Sequence, residues 1–296
     1  MPKKVLLTRG LGAALLVSLA VPAAANAGAI FPERGGSANA DKIFTLYLLI
    51  FVLASIVFIG VAGALVWALI NFRARKGTSA AQIHGNTRLE IGWTVGAFVI
   101  VVFITVFTFI VLPGIKNPPA SSIDVNGNPV TASSALYAAT DMPDPPKGSA
   151  SLNIKVDGQQ YVWRYQYPKQ GDTPPIFSYI DMVVPVGMTV TLDITADDVI
   201  HSWWIPKLGG KMDAVPGLTN KTWFKIPESV IPEGKKSVDF PGQCAELCGR
   251  NHANMTARVV AMRYPDYKAW VERKATEIKQ AREQAADTRK RLEEGE

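Results

Sequence analysis

The sequence is short of cysteine and histidine, since its 296 residues contain only two of the first and three of the second. Two cysteines are too few for a fold held together by several disulfides. The sequence also lacks a large excess of either charge, because its 31 lysines and arginines and its 25 acids give a net charge of only +6. The chain lacks the basic clusters of a nucleic-acid-binding protein. We therefore exclude disulfide-rich scaffolds and expect no nucleic acid among the partners.

Covalently attached haem is excluded as well. Its attachment needs the pattern C-x-x-C-H, whereas the two cysteines, Cys244 and Cys248, are separated by three residues. We expect no haem in this chain.

Hydrophobic residues make up 48% of the sequence and are gathered into three long runs near the N-terminus. The first run, residues 11–25, follows Lys3, Lys4 and Arg9 and ends in the small-x-small sequence Ala-Asn-Ala. This order is typical of a cleaved signal peptide, and we predict one over residues 1–27. An uncleaved anchor is the alternative, although a run of 15 residues is short for a span of about 20.

The other two runs predict a transmembrane helical hairpin within residues 28–112. Residues 44–70 and 91–112 carry no charge over 27 and 22 positions. Each run is long enough to cross about 30 Å of hydrocarbon as a helix, so we expect both to lie in a lipid membrane.

The short segment between the two spans sets the predicted topology. It holds Arg73, Arg75, Lys76 and Arg88 against the single acid Glu90, and basic residues accumulate in cytoplasmic loops. Both ends of the hairpin then point outward, which agrees with the signal peptide. We predict a multi-pass protein of a bacterial inner membrane with its C-terminal domain on the periplasmic side.

After the hairpin the pattern of the sequence changes twice. Residues 113–150 contain seven prolines and predict a linker, or a loop lying on a partner. Residues 151–265 alternate short β-branched or aromatic stretches with turn residues, which favours a β-sandwich or barrel. The predicted strands are residues 152–156, 159–167, 182–185, 188–195, 199–205, 221–226 and 256–262. The predicted fold class is membrane plus all-β.

Residues 266–296 predict a charged C-terminal helix. They contain eight basic and eight acidic residues. Val271, Ala275 and Ile278 form a thin apolar stripe at helical spacing. We expect this helix to be solvated or packed on a partner.

The residues that carry chemistry are concentrated in one loop. They follow the pattern C-x3-C-x3-H-x2-M, with a further histidine 43 residues upstream. The candidate metal ligands are His201, Cys244, Glu246, Cys248, His252 and Met255. Thiolate, imidazole and thioether donors together suit copper, because zinc seldom uses a thioether whereas copper electron-transfer sites do.

The number of donors favours two copper ions over one. A mononuclear blue-copper site needs one cysteine, two histidines and a weak axial methionine, which leaves the second cysteine over. If both sulfurs bridge two metals, each copper receives one histidine, and Met255 and a backbone carbonyl fill the weaker positions. A structural disulfide between Cys244 and Cys248 is one alternative. Acid–base catalysis by His201 or His252 is another, but neither has an acid or nucleophile at triad-like spacing.

Three motifs resemble subunit II of the haem-copper cytochrome c oxidases. They are G-Q-C-A-E-L-C-G-R-N-H-A-N-M at 242–255, H-S-W-W-I-P at 201–206 and K-M-D-A-V-P-G at 211–217. The resemblance implies a cupredoxin-fold domain that holds the binuclear centre called copper A. It also implies that Glu246 binds copper through its backbone carbonyl, while its side chain reaches a magnesium ion shared with subunit I.

The resemblance implies partners and an activity as well. Electrons from cytochrome c would pass through the two coppers to haem a of subunit I, which holds haem and copper B. Reduction of oxygen to water and proton pumping would occur in that partner, and a subunit III is expected too. The chain is thus expected to be the subunit through which electrons enter a cytochrome c oxidase, a translocase of the respiratory chain.

Three further residues match positions of the family. Glu90 matches a carboxylate at the cytoplasmic entrance of a proton path, although carboxylates are also common at helix N-termini near a membrane edge. Tyr161 stands where the family usually has a surface tryptophan that receives the electron, and Trp163 falls on the family's second tryptophan. Because of the tyrosine, both a soluble and a membrane-bound cytochrome c stay open as donors.

Four acids flank the strand of His201, namely Asp193, Asp197, Asp198 and Asp213. They predict a negative face for a basic cytochrome c, although acids are common in turns. Two other functions stay open, a membrane-anchored copper delivery protein and subunit II of a quinol oxidase. The second is expected to lack the copper ligands.

Overall fold

We describe the chain from a computed structural model that covers residues 31–73, 77, 82–124, 126–129, 150–169 and 175–294. The predicted signal peptide lies outside these ranges. So do Arg75 and Lys76 of the predicted cytoplasmic loop and most of the proline-rich segment.

Two long helices precede the β domain. Helix α1 is Ala38–Asn71, with 34 residues, and α2 is Thr87–Val111, with 25. At 1.5 Å per residue they are about 51 and 37 Å long, and each exceeds the thickness of the hydrocarbon core. Both are apolar enough to cross a membrane, and most of their large apolar side chains are exposed. The helices contain almost all of the predicted spans, and α1 begins six residues before its span.

Ten strands form two five-stranded sheets. They are β1 Ser151–Gln159, β2 Val162–Gln166, β3 Phe177–Tyr179, β4 Asp181–Pro185, β5 Thr189–Ala196, β6 His201–Trp204, β7 Met212–Ala214, β8 Asn220–Lys225, β9 Ser237–Cys244 and β10 Thr256–Met262. One sheet has the order β3-β2-β1-β5-β8, and the other has the order β4-β10-β9-β6-β7.

The alternation predicted from the sequence is visible along β1, where every second residue is buried. Ile154 and Val156 point inward and share a core with Leu192 of β5 and Val259 of β10. Because residues of both sheets contribute to one core, the domain is a β-sandwich, as the spacing of the strands predicted.

Three strands were not predicted, and one prediction joined two elements. Strands β3 and β7 have only three residues each. Strand β9 contains Pro241 and Gly242, which normally indicate a turn. The predicted strand 159–167 is divided by a turn at residues 160–161, so that β1 and β2 form an antiparallel hairpin.

The start of the proline-rich segment packs on the chain's own β domain. Ser121 and Ile123 are buried, although the segment was predicted to be a linker or a loop lying on a partner. The Ser121 hydroxyl accepts a hydrogen bond from the backbone N–H of Thr189 at 2.8 Å. Since this contact fixes the segment at the start of β5, the segment is part of the domain and not a free linker at this point.

Strand β8 joins the β domain to the membrane hairpin. The indole Nε1 of Trp223 donates to the carbonyl oxygen of Ile115 at 2.9 Å, just after the end of α2. The side-chain amide of Asn39, at the start of α1, donates to the carbonyl oxygen of Trp223 at 2.8 Å. Lys225 donates through Nζ to the carbonyl oxygen of Ala120 at 2.7 Å. One strand therefore contacts both the start of α1 and the segment that follows α2.

The four-residue helix α3, Pro113–Lys116, follows α2, and the chain ends in α4, Tyr264–Glu294. Tyr267 and the predicted stripe of Val271, Ala275 and Ile278 are buried, which confirms that stripe. Residues 279–294 are exposed.

Candidate metal centre

The pairing of β6 with β9 brings the two parts of the predicted ligand set together. His201 is the first residue of β6, and Cys244 is the last residue of β9. Trp203 lies opposite Cys244 in the antiparallel register. The backbone N–H of Ala245 donates to the carbonyl oxygen of Ser202 at 2.8 Å. The 43-residue gap in the sequence is thus closed by sheet hydrogen bonds.

The remaining candidates lie in the loop between β9 and β10. These strands are antiparallel neighbours, so the loop leaves from Cys244 and returns at Met255. The backbone N–H of Cys244 donates to the carbonyl oxygen of Met255 at 2.9 Å, which closes the loop at its base. A short 3-10 helix over His252–Asn254 turns the imidazole of His252 back toward Cys248.

The donor atoms of the six candidates converge. The separations are 3.9 Å between the Sγ atoms of Cys244 and Cys248, 3.9 Å from Cys244 Sγ to His201 Nδ1, 3.6 Å from Cys248 Sγ to His252 Nδ1, 3.8 Å from Cys248 Sγ to Met255 Sδ, and 3.3 Å from Cys244 Sγ to the carbonyl oxygen of Glu246. The ligand atoms of His201, Cys244 and Cys248 all lie within 4.8 Å of one another.

These separations fit atoms that share metal ions. Ligands bonded at about 2.0–2.3 Å lie roughly 3.3–3.8 Å apart at tetrahedral angles. Cys244 and Cys248 are free thiols, since a disulfide needs a sulfur separation of about 2.05 Å. The alternative of a structural disulfide is therefore wrong for this structure. Each thiol has its own imidazole within reach, and the mixture of sulfur and nitrogen donors suits copper.

Four of the six candidate ligands are deeply buried, whereas His252 is half-buried and Glu246 is exposed. His201 is 0% exposed, Met255 1%, Cys244 3% and Cys248 4%. Burial raises the pKa of the Cys248 thiol to about 11, and the neighbouring Cys244 adds to this rise. The metal-free thiol is therefore protonated at neutral pH, and a metal ion that binds there must displace the proton.

Asp198 holds the far side of the His201 imidazole. Its Oδ1 lies 2.8 Å from His201 Nε2, so that Nδ1 faces the sulfur of Cys244. Burial alone would raise the pKa of Asp198, but hydrogen bonds with His201, Gln160 and Val199 together hold it below its ordinary value. The carboxylate therefore orients the imidazole, as groups behind metal-binding histidines generally do.

The β1–β2 hairpin covers the site. Tyr161 is half-buried, and a Cβ atom at Gly249 would lie 2.6 Å from its hydroxyl oxygen. Trp163 is fully buried, and its ring centroid lies 5.8 Å from that of His201 in an edge-to-face arrangement. Tyr161 thus contacts the ligand loop beside Cys248, while Trp163 lies beneath a candidate ligand.

The predicted acidic residues divide into two groups. Asp197 and Asp198 are exposed in the turn before β6, and Asp213 is exposed on β7. Asp193 lies within β5, where its register partners are Lys155 on one side and Lys221 on the other. Because two lysines flank its carboxylate, Asp193 adds little to a negative face.

Glu90 lies at the N-terminal end of α2, on the membrane hairpin and not at the metal centre. Its Oε1 accepts a hydrogen bond from the backbone N–H of Asn86 at 3.3 Å, and the Asn86 side chain accepts one from the N–H of Leu89 at 3.2 Å. This reciprocal pair caps the helix. A role in a proton path stays a prediction.

One residue with contacts to the site was missed. Gln160, at the turn between β1 and β2, is hydrogen-bonded both to Asp198 and to the carbonyl oxygen of Cys248. These contacts join segments 38 and 88 residues apart, so no local pattern indicates them. Its place beside Tyr161 in an aromatic segment was the only available signal.

Comparison with known proteins gives consistent matches. Residues 177–262 match the family described as cytochrome c oxidase subunit II, periplasmic domain, and residues 24–111 match its transmembrane domain. The chain is 34% identical to the "Probable cytochrome c oxidase subunit 2" of Rickettsia bellii over 228 residues. This alignment covers 71% of this chain and 71% of the Rickettsia protein.

Two further proteins are similar to this chain. The "Cytochrome c oxidase subunit 2" of Alkalihalophilus pseudofirmus is 33% identical over 251 residues, which is 84% of this chain but only 63% of that protein. A solved structure of the periplasmic domain of subunit II of cytochrome oxidase from Bradyrhizobium japonicum is 33% identical. The structural alignment covers 44% of this chain and 96% of the Bradyrhizobium domain, with a TM-score of 0.38.

Proposed function

The chain belongs to the cytochrome c oxidase subunit II family, and we propose that it is the subunit through which electrons enter a respiratory oxidase. The carrying observation is the pair of free thiols 3.9 Å apart, each with its own imidazole nitrogen. Two copper ions bound there would supply a centre that accepts and releases one electron at a time.

The protein's own part is to hold the donors in advance. Cys244 and Cys248 would bridge both ions, with one histidine for each. Met255 Sδ and the carbonyl oxygen of Glu246 would occupy the weaker positions. Because His201 and Cys244 lie on paired strands of a packed sandwich, their separation is set by the sheet. Ligands fixed in this way need little rearrangement when the oxidation state changes.

The further parts of the proposal concern the surroundings of the site. We propose that the sandwich faces the periplasm of a bacterial cell and receives electrons from cytochrome c. It would pass them to haem a of subunit I, where oxygen is reduced and protons are pumped. Subunit III would belong to the same complex. The exposed side chain of Glu246 is available for a magnesium ion shared with subunit I.

We propose that Tyr161 and Trp163 lie on the route by which electrons reach the copper ions. The contact of Tyr161 with the ligand loop and the packing of Trp163 against His201 support this route. Asp197, Asp198 and Asp213 would face the donor. Glu90, at the cytoplasmic end of α2, is proposed as the entrance of a proton path.

A membrane-anchored copper delivery protein is the competing function. Such a protein needs exposed ligands that release copper readily. Here the two cysteines, His201 and Met255 are buried, which favours retention of the metal.

The test is electron paramagnetic resonance of the full chain in detergent after copper loading. A seven-line hyperfine pattern is expected, because one unpaired electron would be shared by two equivalent copper nuclei. Two copper ions per chain that resist a chelator would exclude delivery. A four-line pattern, or one exchangeable copper ion, would overturn the proposal.

A further inference from the structure

Gln160 lies at the tip of the β1–β2 hairpin and contacts both segments that carry the ligands. Its backbone N–H donates to Asp198 Oδ2 at 2.7 Å. Its side-chain Nε2 donates to the carbonyl oxygen of Cys248 at 2.6 Å. One residue is therefore bonded to the turn before His201 and to the ligand loop itself.

Asp198 carries this connection on to the metal ligand. While one carboxylate oxygen accepts from Gln160, the other lies 2.8 Å from His201 Nε2 and accepts from the N–H of Val199 at 2.6 Å. A continuous path of hydrogen bonds thus runs from Cys248 through Gln160 and Asp198 to His201.

The two ligand segments are held differently at their bases and at their tips. At the base, β6 pairs with β9, and the N–H of Ala245 donates to the carbonyl oxygen of Ser202. Cys248 lies beyond the end of β9, where no sheet pairing is present among the described residues. Gln160 makes the connection there.

Two glycines allow the hairpin to approach this closely. A Cβ atom at Gly249 would lie 2.9 Å from Gln160 Nε2, and one at Gly158 would lie 3.0 Å from His201 Cδ2. Gly249 also has a φ of +129°, a backbone conformation that residues with a side chain rarely adopt. The hairpin therefore lies directly against both the ligand loop and the imidazole.

We propose that Gln160 is a positioning residue for the metal centre, which fixes the Cys248 side of the loop relative to His201. The inference rests on the proposed two-copper function. Partners behind the direct ligands generally strengthen metal binding by orienting those ligands. Gln160 contacts the ligand loop through its side chain and the turn before His201 through its backbone N–H, so loss of the side-chain donor releases the Cys248 side of the loop from that turn.

Gln159 provides a matched control. It precedes Gln160 on the same hairpin, and its side-chain Nε2 donates to Asp197 Oδ2 at 2.5 Å. The two glutamines thus have the same chemistry and nearly the same location. Gln159 contacts the neighbour of Asp198, whereas Gln160 contacts Asp198 and the ligand loop.

The first measurement is the rate at which the copper-loaded full chain in detergent loses metal to a fixed excess of EDTA. Gln160→Met keeps the length of the side chain and removes its donor to the Cys248 carbonyl, while the backbone N–H still donates to Asp198. We expect loss of copper to be at least about tenfold faster in this variant. Gln159→Met is expected to lose copper at the rate of the unmodified chain. Equal rates in the two variants would overturn the positioning role.

The second measurement uses the copper-free chain, so that it does not depend on metal binding. The N–H groups of His252 and Met255 donate to the carbonyl oxygens of Gly249 and His252 within the loop. We expect amide hydrogen exchange at these two positions to be faster in Gln160→Met and unchanged in Gln159→Met. Unchanged exchange in both would contradict the inference. A four-line spectrum of the unmodified chain would instead overturn the two-copper proposal alone.

Discussion

The indole nitrogen of Trp223 lies 2.9 Å from the carbonyl oxygen of Ile115, and this hydrogen bond connects strand β8 to the short helix that follows the second membrane helix. The same indole lies 3.1 Å from the carbonyl oxygen of Lys116. Asn39, at the start of the first membrane helix, donates to the backbone of Trp223. A single buried residue therefore links the β domain to both helices.

Replacing Trp223 with phenylalanine removes the donor and keeps most of the ring. We expect the free energy of unfolding of the β domain to fall by about 1 kcal/mol, the usual net value of a hydrogen bond. Urea unfolding of the full chain in detergent, followed by far-ultraviolet circular dichroism, measures it. Trp204→Phe is the control, because that ring packs under the Lys211 ammonium. Equal losses in both variants would contradict the prediction.

Removal of one bridging sulfur should dismantle the metal centre. In Cys248→Ser we expect fewer than two copper ions per chain and loss of the seven-line spectrum. Atomic absorption and electron paramagnetic resonance measure these changes. Met255→Leu serves for comparison, because a thioether is a weak ligand. It should keep two copper ions while the midpoint potential shifts. A Cys248→Ser variant with unchanged copper content would be incompatible with bridging thiolates.

Gly158 should tolerate no side chain. A Cβ atom there would lie 3.0 Å from His201 Cδ2 and 3.1 Å from Trp163 Cζ3, both of which are held in the core. We expect Gly158→Ala to cost about 1–3 kcal/mol, as overpacking of a core generally does. The same urea titration measures it. Gly210→Ala is the control, since its nearest atom would be 3.9 Å away. If the two variants are equally stable, the hairpin does not press on His201.

The exposed acids near the site predict salt-dependent electron transfer. We expect Asp197→Asn and Asp213→Asn to slow reduction by a basic cytochrome c several-fold at low ionic strength and little at high ionic strength. Stopped-flow reduction of the assembled oxidase measures the rate. Asp287→Asn, on the exposed part of α4, is the control. A reduction rate that does not change with ionic strength would rule out docking of cytochrome c at these acids.

Much of the site was predictable because it is local in the sequence. Four candidate side-chain ligands lie within residues 244–255, and their spacing already indicates copper. His201 was found only through its motif, since β6 and β9 meet through sheet pairing. The contacts of Gln160 depend on three segments that fold together, and no periodicity predicts such contacts. Asp198 was interpreted as a docking acid, whereas the structure also bonds it to His201.

The fold was predictable for similar reasons. The two membrane helices and the long strands follow from uninterrupted apolar runs and from alternation. Strand β9 was missed because Pro241 and Gly242 resemble a turn, yet it pairs with β10 in antiparallel register from Ser237 to Gln243. Tertiary pairing outweighed local preference there.

The pairing of β6 with β9 has a consequence for the biogenesis of the protein. His201 can meet Cys244 only after strands 43 residues apart have found each other, and such distant contacts form slowly. Until then the two thiols of the nascent chain are exposed, and the set of candidate ligands is incomplete. We therefore expect copper to bind only after the sandwich has folded, and the two thiols to need protection from oxidation until then.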